Sequence, residues 1–512
     1  MRIGVDVGGT NTDAVLMDGS RVLASHKAET TANVSDGIVA AISDVLQQAG
    51  VAPASLSGVM VGTTHFTNAF VERRHLLEVG VLRLGLPASR GLPPMIDWPQ
   101  DLAAAVGRHH YLLEGGYQFD GREISPLDEA GVLAAARELK RKGIRSAAIS
   151  CIFSPVKDDM EERAAALLRS EVPDLAISLS SRIGRIGLLE RENAAIMNAS
   201  LAQLAQDVVG SFRSALDQLA ITAPFYISQN DGTLMTAEFV AQYPVLTFAS
   251  GPTNSMRGAA YLSGLEDAIV VDIGGTTADV GVLSGSFPRE STVSVDIGGV
   301  RTNFRMPDIL AVGLGGGSEV SEDGARVGPR SVGYQLRSRA RVFGGDVLTA
   351  TDIAVAAGYA AIGDASRVAA LPPAVVERAV ARIHALITEA VDRMKTSAAA
   401  MPLILVGGGA VLVNRAIPGA SEVVVPEHAG VANAIGASIA QVGGEIDKVY
   451  AYDNVSREQA LEEAKAEACA NAVAAGAAAT TVRVVDLEEL PLNYMPGNAV
   501  RVRVKAAGDL EQ

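Results

Sequence analysis

The sequence predicts an α/β protein with two similar lobes around a cleft, plus a small C-terminal α+β element. Three observations predict it. Short apolar strands alternate with segments of helical period. A glycine-rich strand–turn–strand segment near the amino terminus recurs 266 residues later, about one domain away. The 512-residue chain is also too long for one typical core. We place the lobes at residues 1–190 and 191–445 and the C-terminal element at 446–512.

The elements of the first lobe follow from local patterns. Residues 2–6 and 13–18 are apolar runs flanking Gly-Gly-Thr, so they predict two strands joined by a tight glycine loop. Apolar residues at helical spacing between Ser35 and Gly50 predict a helix. Residues 58–62 predict another strand. The pattern indicates a β-hairpin, a helix and a third strand in that order.

The rest of this lobe continues the alternation. A helix is predicted at 127–142 and a strand at 146–152. Helical period then persists over 188–219, which predicts one long helix or two consecutive ones that join the lobes. Within that segment Glu190, Arg191 and Glu192 are interpreted as a solvated helix face. Cys151, in an apolar strand, is expected to be an inert buried thiol.

The pattern then restarts. Strands are predicted at 225–228 and 269–273, a long helix at 374–398, and a strand at 402–406 that leads into Gly-Gly-Gly. An Ala/Glu/Lys-rich segment at 456–478 predicts a helix. Two alternating strands follow it and complete the C-terminal element.

Composition bounds the function. The net charge of −15 argues against a nucleic-acid groove. No run of about 18 apolar residues exists, so no membrane-spanning helix is expected. The two cysteines offer neither a disulfide framework nor a zinc cluster, and the amino terminus lacks the pattern of a secretory signal. We therefore expect a cytoplasmic protein, and the net charge says little about small substrates.

The repeated segment carries the chemistry. Aligned from Asp6 and Asp272, DVGGTNTDAVLMDG and DIGGTTADVGVLSG agree at six of fourteen positions. Glycines let consecutive amides approach phosphate oxygens, and Thr10 and Thr276 add hydroxyl donors. A carboxylate beside phosphate is reasonable when Mg²⁺ or a Mg²⁺-bound water lies between them. The structural alternative is a plain hairpin turn, but two copies at domain spacing favour a nucleotide gripped from both sides.

Two other glycine clusters could approach a nucleotide. Gly407, Gly408 and Gly409 follow an apolar strand, where a loop can lie against adenine or ribose; a simple strand-to-helix turn is the alternative. Gly315 and Gly316, within AVGLGGGSEV, are a further candidate for contact with phosphate or substrate. Because no Gly-Lys-Ser or Gly-Lys-Thr occurs, a P-loop is excluded.

Together these motifs resemble the ATP-binding subunit of the hydantoinase/oxoprolinase family, within the actin, hexokinase and Hsp70 superfamily. The resemblance is carried, in family order over about residues 1–440, by DVGGTNTDAVL, VGTTHFTNA, SGPTNS, DIGGTTADV and VGLGGGSEV followed by VGPRSVGY. It implies two actin-like ATPase lobes with ribonuclease H-like sheets around a nucleotide cleft. It also implies ATP and Mg²⁺ as cofactors, and ATP-dependent opening of a cyclic amide such as a hydantoin, 5-oxoproline or a lactam.

The implied route is phosphorylation of the amide oxygen, because a phosphorylated oxygen is a far better leaving group than an amide oxygen. Positioning and charge neutralisation would catalyse that step. Asp6, Asp13, Asp272 and Thr10 are the expected catalytic residues, and Asp6, Asp272 and Asp279 the expected Mg²⁺ ligands, directly or through water. The expected nucleotide-binding residues are Gly8, Gly9, Thr10, Asn11, Thr12, Gly274, Gly275, Thr276, Thr277, Gly315, Gly316, Gly407, Gly408 and Gly409.

The segment GTTHFTNA supplies neutral donors and acceptors suited to an amide ring. Its expected substrate-binding residues are Thr63, Thr64, His65, Thr67 and Asn68; an ordinary helix start is the alternative. After VGPRSVGY the chain departs from larger family members, which leaves the ring substrate open. It also ends without a hydrolytic second half, so a partner subunit, a homo-oligomer or both are expected. A small-molecule kinase and an ATP-gated activator of a partner enzyme remain alternatives.

Overall fold

The structure is a computed structural model that describes residues 1–8, 11–29, 34–291, 295–303, 306–493 and 495–510. In this part of the chain the strands, in order, are β1 Arg2–Val7, β2 Asn11–Asp18, β3 Arg21–Glu29, β4 Gly58–Thr63, β5 Val79–Leu86, β6 His109–Glu114, β7 Ser146–Cys151, β8 Ala176–Leu179, β9 Phe225–Ser228, β10 Thr233–Thr236, β11 Ala268–Ile273, β12 Ala278–Ser284, β13 Phe287–Pro288, β14 Val295–Ile297, β15 Val300–Thr302, β16 Ile309–Val312, β17 Ser318–Val320, β18 Val327–Ser331, β19 Met401–Val406, β20 Ala420–Val424, β21 Gln441–Ala451, β22 Arg483–Pro491 and β23 Ala499–Gly508.

The α-helices of the same part of the chain are α1 Val34–Ala49, α2 His65–Val71, α3 Gln100–Val106, α4 Glu129–Lys142, α5 Asp159–Glu171, α6 Leu188–Ser200, α7 Ala202–Gln218, α8 Ala237–Gln242, α9 Ser250–Ser263, α10 Leu336–Arg339, α11 Ala350–Ala356, α12 Pro373–Met394, α13 Ala432–Ser438 and α14 Arg457–Ala474. The predicted segment 188–219 is therefore two consecutive helices, α6 and α7. None of the described helices is both long and apolar enough to cross a membrane.

Three sheets organise these elements. The first has nine strands in the order β22-β23-β21-β10-β9-β4-β1-β2-β3, and the second runs β13-β12-β11-β19-β20 with β16 also paired to β12. A third, parallel sheet has the order β6-β5-β7-β8. The predicted α/β fold class is confirmed, and the third sheet was not predicted as a separate layer.

The first two sheets repeat one arrangement. In each, an antiparallel hairpin, β1–β2 or β11–β12, has a parallel strand against its first member, β4 or β19. The hairpin strands are buried because both faces of each sheet are covered by helices and by the neighbouring layer. The duplicated sequence segment therefore corresponds to a duplicated sheet core.

The C-terminal strands extend the first sheet and do not form a sheet of their own. Strand β21 pairs in parallel with β10, and β23 pairs with β21. Helix α14 packs its alanines on these strands, where it forms a separate apolar cluster with them. The boundaries at residues 190 and 445 stay a prediction. Strands β4 and β9, on either side of residue 190, are hydrogen-bonded in this sheet, and strand β21 itself runs across residue 445.

Helix α6 corrects one prediction. Arg191 and Glu192 are each only 1% exposed, so they do not form a solvated face. The third sheet packs against this helix, and Arg83 on β5 donates to both Glu192 oxygens, at 2.7 and 2.5 Å. Glu190 alone keeps a partly exposed side chain, paired with Arg301. Helical period identified the helix, but the sheet that buries it was not predicted, and Arg83, the ion-pair partner of Glu192, lies 109 residues earlier in the chain.

Candidate functional site

The two glycine hairpins have matching geometry. Asp6 pairs in register with Asp13, and Asp272 pairs with Asp279. The loop of the first hairpin begins where the Gly8 amide donates to the Asn11 carbonyl at 3.0 Å, and the Gly274 amide donates to the Thr277 carbonyl at 2.9 Å in the second. Gly9 and Thr10 lie outside the described residues.

A cleft with a volume of about 200 Å³ lies between these hairpins. Its lining combines carboxylates, glycine backbone and small polar side chains, namely Asp6, Gly8, Asn11, Asp13, Lys27, Ser255, Asp272, Gly274, Gly275, Thr277, Gly407, Gly408, Ala429, Gly430, Ala432 and Asn433. The cleft therefore joins residues of both duplicated segments, as the sequence predicted.

The carboxylates of the first hairpin are held by two residues that sequence reasoning missed. The Asn433 amide nitrogen donates to Asp6 Oδ2 at 2.9 Å and to Asp13 Oδ2 at 3.0 Å. Lys27 Nζ, on the neighbouring strand β3, lies 2.5 Å from Asp13 Oδ1. Burial, together with the nearby Asp13 carboxylate, raises the pKa of Asp6 to about 7. The free site thus concentrates negative charge that a bound cation would relieve.

A backbone feature positions Asp6. Gly62 is its register partner on β4, and a Cβ at this glycine would collide with Asp6 Oδ1 and Asn254 Nδ2. Both of those buried atoms lack a hydrogen-bond partner among the described residues. Asn254 belongs to SGPTNS at the start of α9, so this motif places a polar side chain beside the first carboxylate.

The carboxylates of the second hairpin have different neighbours from those of the first. The Ser255 hydroxyl donates to Asp272, while burial raises the pKa of Asp272. Asp279 does not line the cleft, and burial together with the Asp272 carboxylate raises its pKa to about 7. Asp272 therefore faces the cleft, and Asp279 lies behind it.

The Gly407–Gly409 loop closes the cleft beside Asp272. A Cβ at Gly407, whose φ is +82°, would collide with Asp272 Oδ1 and the Ile273 carbonyl. Gly408 has open space where a side chain would be, and it lines the cleft. Gly409 donates its amide to the Ile273 carbonyl at 2.7 Å and lies outside the lining. Only the first two glycines are brought to the predicted site.

Gly315 and Gly316 support the second loop from behind. The Gly316 amide donates to the Gly274 carbonyl at 3.0 Å, and the next amide, of Gly317, donates to the Gly275 carbonyl at 2.7 Å. A Cβ at Gly315 would collide with the Gly275–Thr276 peptide. The cluster contacts the loop backbone rather than the cleft. Its glycines are explained by this close backbone approach.

The predicted substrate segment lies next to the first loop but outside the cleft lining. The Thr64 amide donates to the Val7 carbonyl at 3.4 Å, and Thr63 Oγ1 is 2.7 Å from His65 Nδ1. Asn68 donates to Thr64 Oγ1 at 3.3 Å, and burial lowers the pKa of His65. Helix α2 begins at His65, so the segment is also a helix start. Its role in substrate binding stays a prediction.

Two other predicted residues stand apart from the lining. Thr12 is buried, because Asn11 and Asp13 on either side of it face the cleft and a strand alternates its faces. Thr276 sits in the second loop against Gly333. Counting strand register from Asp13 could have identified Lys27, and SGPTNS contains Ser255. Asn433 had no local signal, because only the tertiary fold brings α13 to β1.

The side chains of the cleft include carboxylates that could hold a metal ion. No cluster of three or more His, Cys, Asp or Glu side chains with metal-binding geometry occurs among the residues that the structure describes. Asp6 and Asp272 nevertheless present carboxylates to one cleft, and Asp6 Oδ1 is buried without a hydrogen-bond partner among those residues. This arrangement fits Mg²⁺, which keeps several waters and takes one or two carboxylates plus phosphate oxygens.

The two sheets, each with a glycine hairpin flanked by a parallel strand, define an α/β protein with a duplicated core around a glycine-lined cleft. The chain belongs to the hydantoinase/oxoprolinase family: residues 2–172 match the model of the hydantoinase/oxoprolinase N-terminal region, and residues 191–392 match the hydantoinase/oxoprolinase model. The family resemblance predicted from the motifs is confirmed.

Several proteins of known name are similar to this chain in sequence or in structure. The chain is 28% identical over 393 residues to caprolactamase subunit alpha of Pseudomonas jessenii, covering 71% of this chain and 55% of that protein. It is 28% identical over 393 residues to the acetophenone carboxylase gamma subunit of Aromatoleum aromaticum, covering 70% and 53%. The crystal structure of the ATP-dependent caprolactamase from P. jessenii matches the fold with a TM-score of 0.78 at 22% identity, over 100% of this chain and 88% of that one. The chain spans about half the length of the two curated relatives.

Proposed function

We propose that this chain is the nucleotide-binding subunit of an ATP-dependent enzyme that opens a cyclic amide of the hydantoin, 5-oxoproline or lactam type. The observation that carries the proposal is the pair of matched hairpins, which present Asp6 and Asp272 to one glycine-lined cleft. The similarity to a caprolactamase subunit supports the cyclic-amide class.

The residues have distinct roles in this scheme. Asp6 and Asp272 would hold Mg²⁺, directly or through water, with Asp279 behind Asp272. Bound Mg²⁺ would neutralise charge that develops on the phosphates. The loop amides of Gly8, Gly274 and Gly275 would bind phosphate oxygens, because glycine lets the backbone come close to a ligand.

The polar neighbours keep these groups in place. Asn433 fixes Asp6 and Asp13 relative to each other, and Ser255 fixes Asp272. A positioned carboxylate lowers the barrier by holding charge where it is needed, without reorganisation during the reaction. Asp13 would orient the reacting end of the nucleotide or the substrate. Thr63, Thr64, His65, Thr67 and Asn68 would contact the ring from the end of β4.

A partner subunit is part of the proposal. The matched relatives are named as subunits. The partner would supply the hydrolytic half of the reaction, and the cytoplasm is the proposed compartment.

The test is ADP release by the 512-residue chain with Mg²⁺-ATP and a panel of hydantoins, 5-oxoproline and lactams, with and without the product of a neighbouring gene. We expect one ring class to stimulate ADP release and to yield the opened ring by mass spectrometry. A stable product heavier by one phosphoryl group would instead identify a kinase. ATP binding that alters partner affinity, without any ring-stimulated turnover, would identify an activator.

A second candidate is ATP-dependent carboxylation of a ketone, favoured by the similarity to the acetophenone carboxylase subunit. Acetophenone and related ketones with bicarbonate provide the discriminating assay. ADP release that requires bicarbonate, with a carboxylated ketone as product, would replace the cyclic-amide proposal.

A further inference from the structure

One cation stands out in the cleft. Lys27 is the only lysine or arginine among the described residues of the lining. Its side chain is 40% exposed, while that of its partner Asp13 is 5% exposed. The ammonium therefore sits where solvent and a ligand can reach it. A lysine is a point charge on a flexible four-carbon stem, so it can change partners without moving the strand.

The duplication of the sheets makes this cation informative. In the first sheet Asp13 lies opposite Lys27 on β3, whereas in the second sheet its equivalent, Asp279, lies opposite Ala311 on β16. Both hairpins carry the same carboxylate pair, but only the first is given a lysine. A cation needed merely to make this hairpin fold would be expected in both copies.

Asp13 is also held without its lysine. Asn433 donates to Asp13 Oδ2 and joins it to Asp6. Lys27 instead contacts the other oxygen, Oδ1, which is itself buried, while the lysine side chain lines the cleft. The ion pair is thus an addition to a carboxylate that already has a hydrogen-bonded position.

We propose that Lys27 binds the terminal phosphate of the nucleotide, exchanging Asp13 Oδ1 for a phosphate oxygen when a nucleoside triphosphate enters. This inference rests on the proposed function only in taking ATP as the ligand. The cleft presents three carboxylates, Asp6, Asp13 and Asp272, so a polyphosphate needs cations from both the solvent and the protein. Lys27 lies on the first lobe, and it assigns the reacting end of the nucleotide to that lobe.

The test compares nucleotide affinities of the full 512-residue chain and its variants by calorimetry in the presence of Mg²⁺. Lys27→Gln removes the charge and Lys27→Arg keeps it. Lys465→Gln on helix α14 is the matched control, because its side chain has a similar exposure, 38%, and also pairs with a carboxylate, that of Glu462. We expect Lys27→Gln to weaken ATP by about tenfold or more and AMP by less than about twofold. Lys27→Arg is expected to stay within about threefold of the parent protein for ATP. Lys465→Gln is expected to match the parent for all nucleotides.

A second variant keeps the test informative if Lys27→Gln does not fold. Asp13→Asn frees the lysine from its competing carboxylate, so the ratio of ATP to AMP affinity should rise. Parent-like ATP affinity in Lys27→Gln, an equal loss for ATP and AMP, or an unchanged ratio in Asp13→Asn would overturn the proposal. Parent protein that binds ATP but is stimulated by no ring compound would refute the proposed function alone. Parent protein that binds no nucleotide would refute both.

Discussion

Asp6 lies directly opposite Asp13 across the first hairpin, and one side-chain amide donates to both carboxylates. That amide belongs to Asn433, whose nitrogen is 2.9 Å from Asp6 Oδ2 and 3.0 Å from Asp13 Oδ2. Two neighbouring carboxylates repel each other, and a shared donor offsets part of that repulsion. Helix α13, late in the chain, is thereby connected to the two carboxylates of the first hairpin.

Removing this bridge should destabilise the free protein. Asn433→Ala leaves two buried carboxylate oxygens without their donor, so we expect a loss of about 1–3 kcal/mol in the free energy of unfolding. Asn433→Asp should cost more, because it adds a third negative charge. Urea denaturation measures both. Asn471→Ala, which removes an exposed donor to the Glu445 carbonyl, is the control and should change stability by no more than about 0.5 kcal/mol. Equal effects of the two alanine variants would contradict the bridge.

The hairpin carboxylates should be needed for turnover but not for folding. Asp6→Asn and Asp272→Asn each remove a proposed Mg²⁺ contact, so ATP turnover should fall to background while the circular dichroism spectrum is kept. Chelation of divalent ions with EDTA should abolish turnover in the parent protein, and added Mg²⁺ should restore it. Parent-like turnover in both variants would reject the cleft as the catalytic site.

The nucleotide-free protein should become less stable as pH rises, because the Asp6 carboxyl group loses its proton. The pKa of Asp6 is about 7 in the folded state, against 3.8 for the ordinary carboxyl, because of burial and the nearby Asp13 and Asp272 carboxylates; Asn433 and Lys27 oppose the shift. The folded state therefore binds the proton more tightly. This stabilisation is complete below about pH 4 and is lost as pH rises through about 7.

A comparison of two proteins isolates that contribution. The unfolding free energy of the parent minus that of Asp6→Asn should decrease between about pH 5 and pH 7, by at most about 1.4 kcal/mol per pH unit. Urea denaturation across this range measures it. A difference that stays constant or increases would contradict the raised pKa.

Gly62 should be needed for the position of Asp6. In Gly62→Ala the added methyl group collides with Asp6 Oδ1 and Asn254 Nδ2, so the carboxylate must move. We expect ATP turnover to fall at least about tenfold, because small displacements of a positioned group are costly. Gly210→Ala in helix α7 is the control: its Cβ meets nothing within 4 Å, and alanine should stabilise the helix by about 0.5–1 kcal/mol. Parent-like kinetics in Gly62→Ala would contradict the assignment.

The buried ion pair of Arg83 and Glu192 joins the third sheet to helix α6. Removing only one of the two partners should strongly lower the free energy of unfolding. Glu192→Ala leaves Arg83, which is fully buried, without its counter-charge, so we expect a loss of about 3–5 kcal/mol. The double variant Arg83→Met/Glu192→Leu removes both charges and should recover part of that loss. Thermal unfolding of the three proteins measures this. A double variant less stable than Glu192→Ala would show that the pair is itself favourable.

Local sequence signals identified most of the elements. The hairpins, the strand at 58–63 and the helix pair over 188–218 appear where periodicity and glycines predicted them, because these patterns reflect the faces that each element buries. Cys151 is buried as expected, and burial raises the pKa of its thiol. The prediction for Arg191 and Glu192 was wrong. Charged residues on a helix are predicted to face solvent unless the sheet that covers them is known.

The sequence by itself determined that one hairpin is used twice and that each copy carries an aspartate, glycines and a second aspartate. Those are local properties, set by strand alternation and by the backbone freedom of glycine. Only the tertiary structure decided that Asn433 bridges Asp6 and Asp13, that Ser255 holds Asp272, and that Lys27 faces the cleft while Ala311 occupies its counterpart. These contacts join residues far apart in the chain. Packing of α9 and α13 between the sheets creates the first two, and strand pairing creates the third.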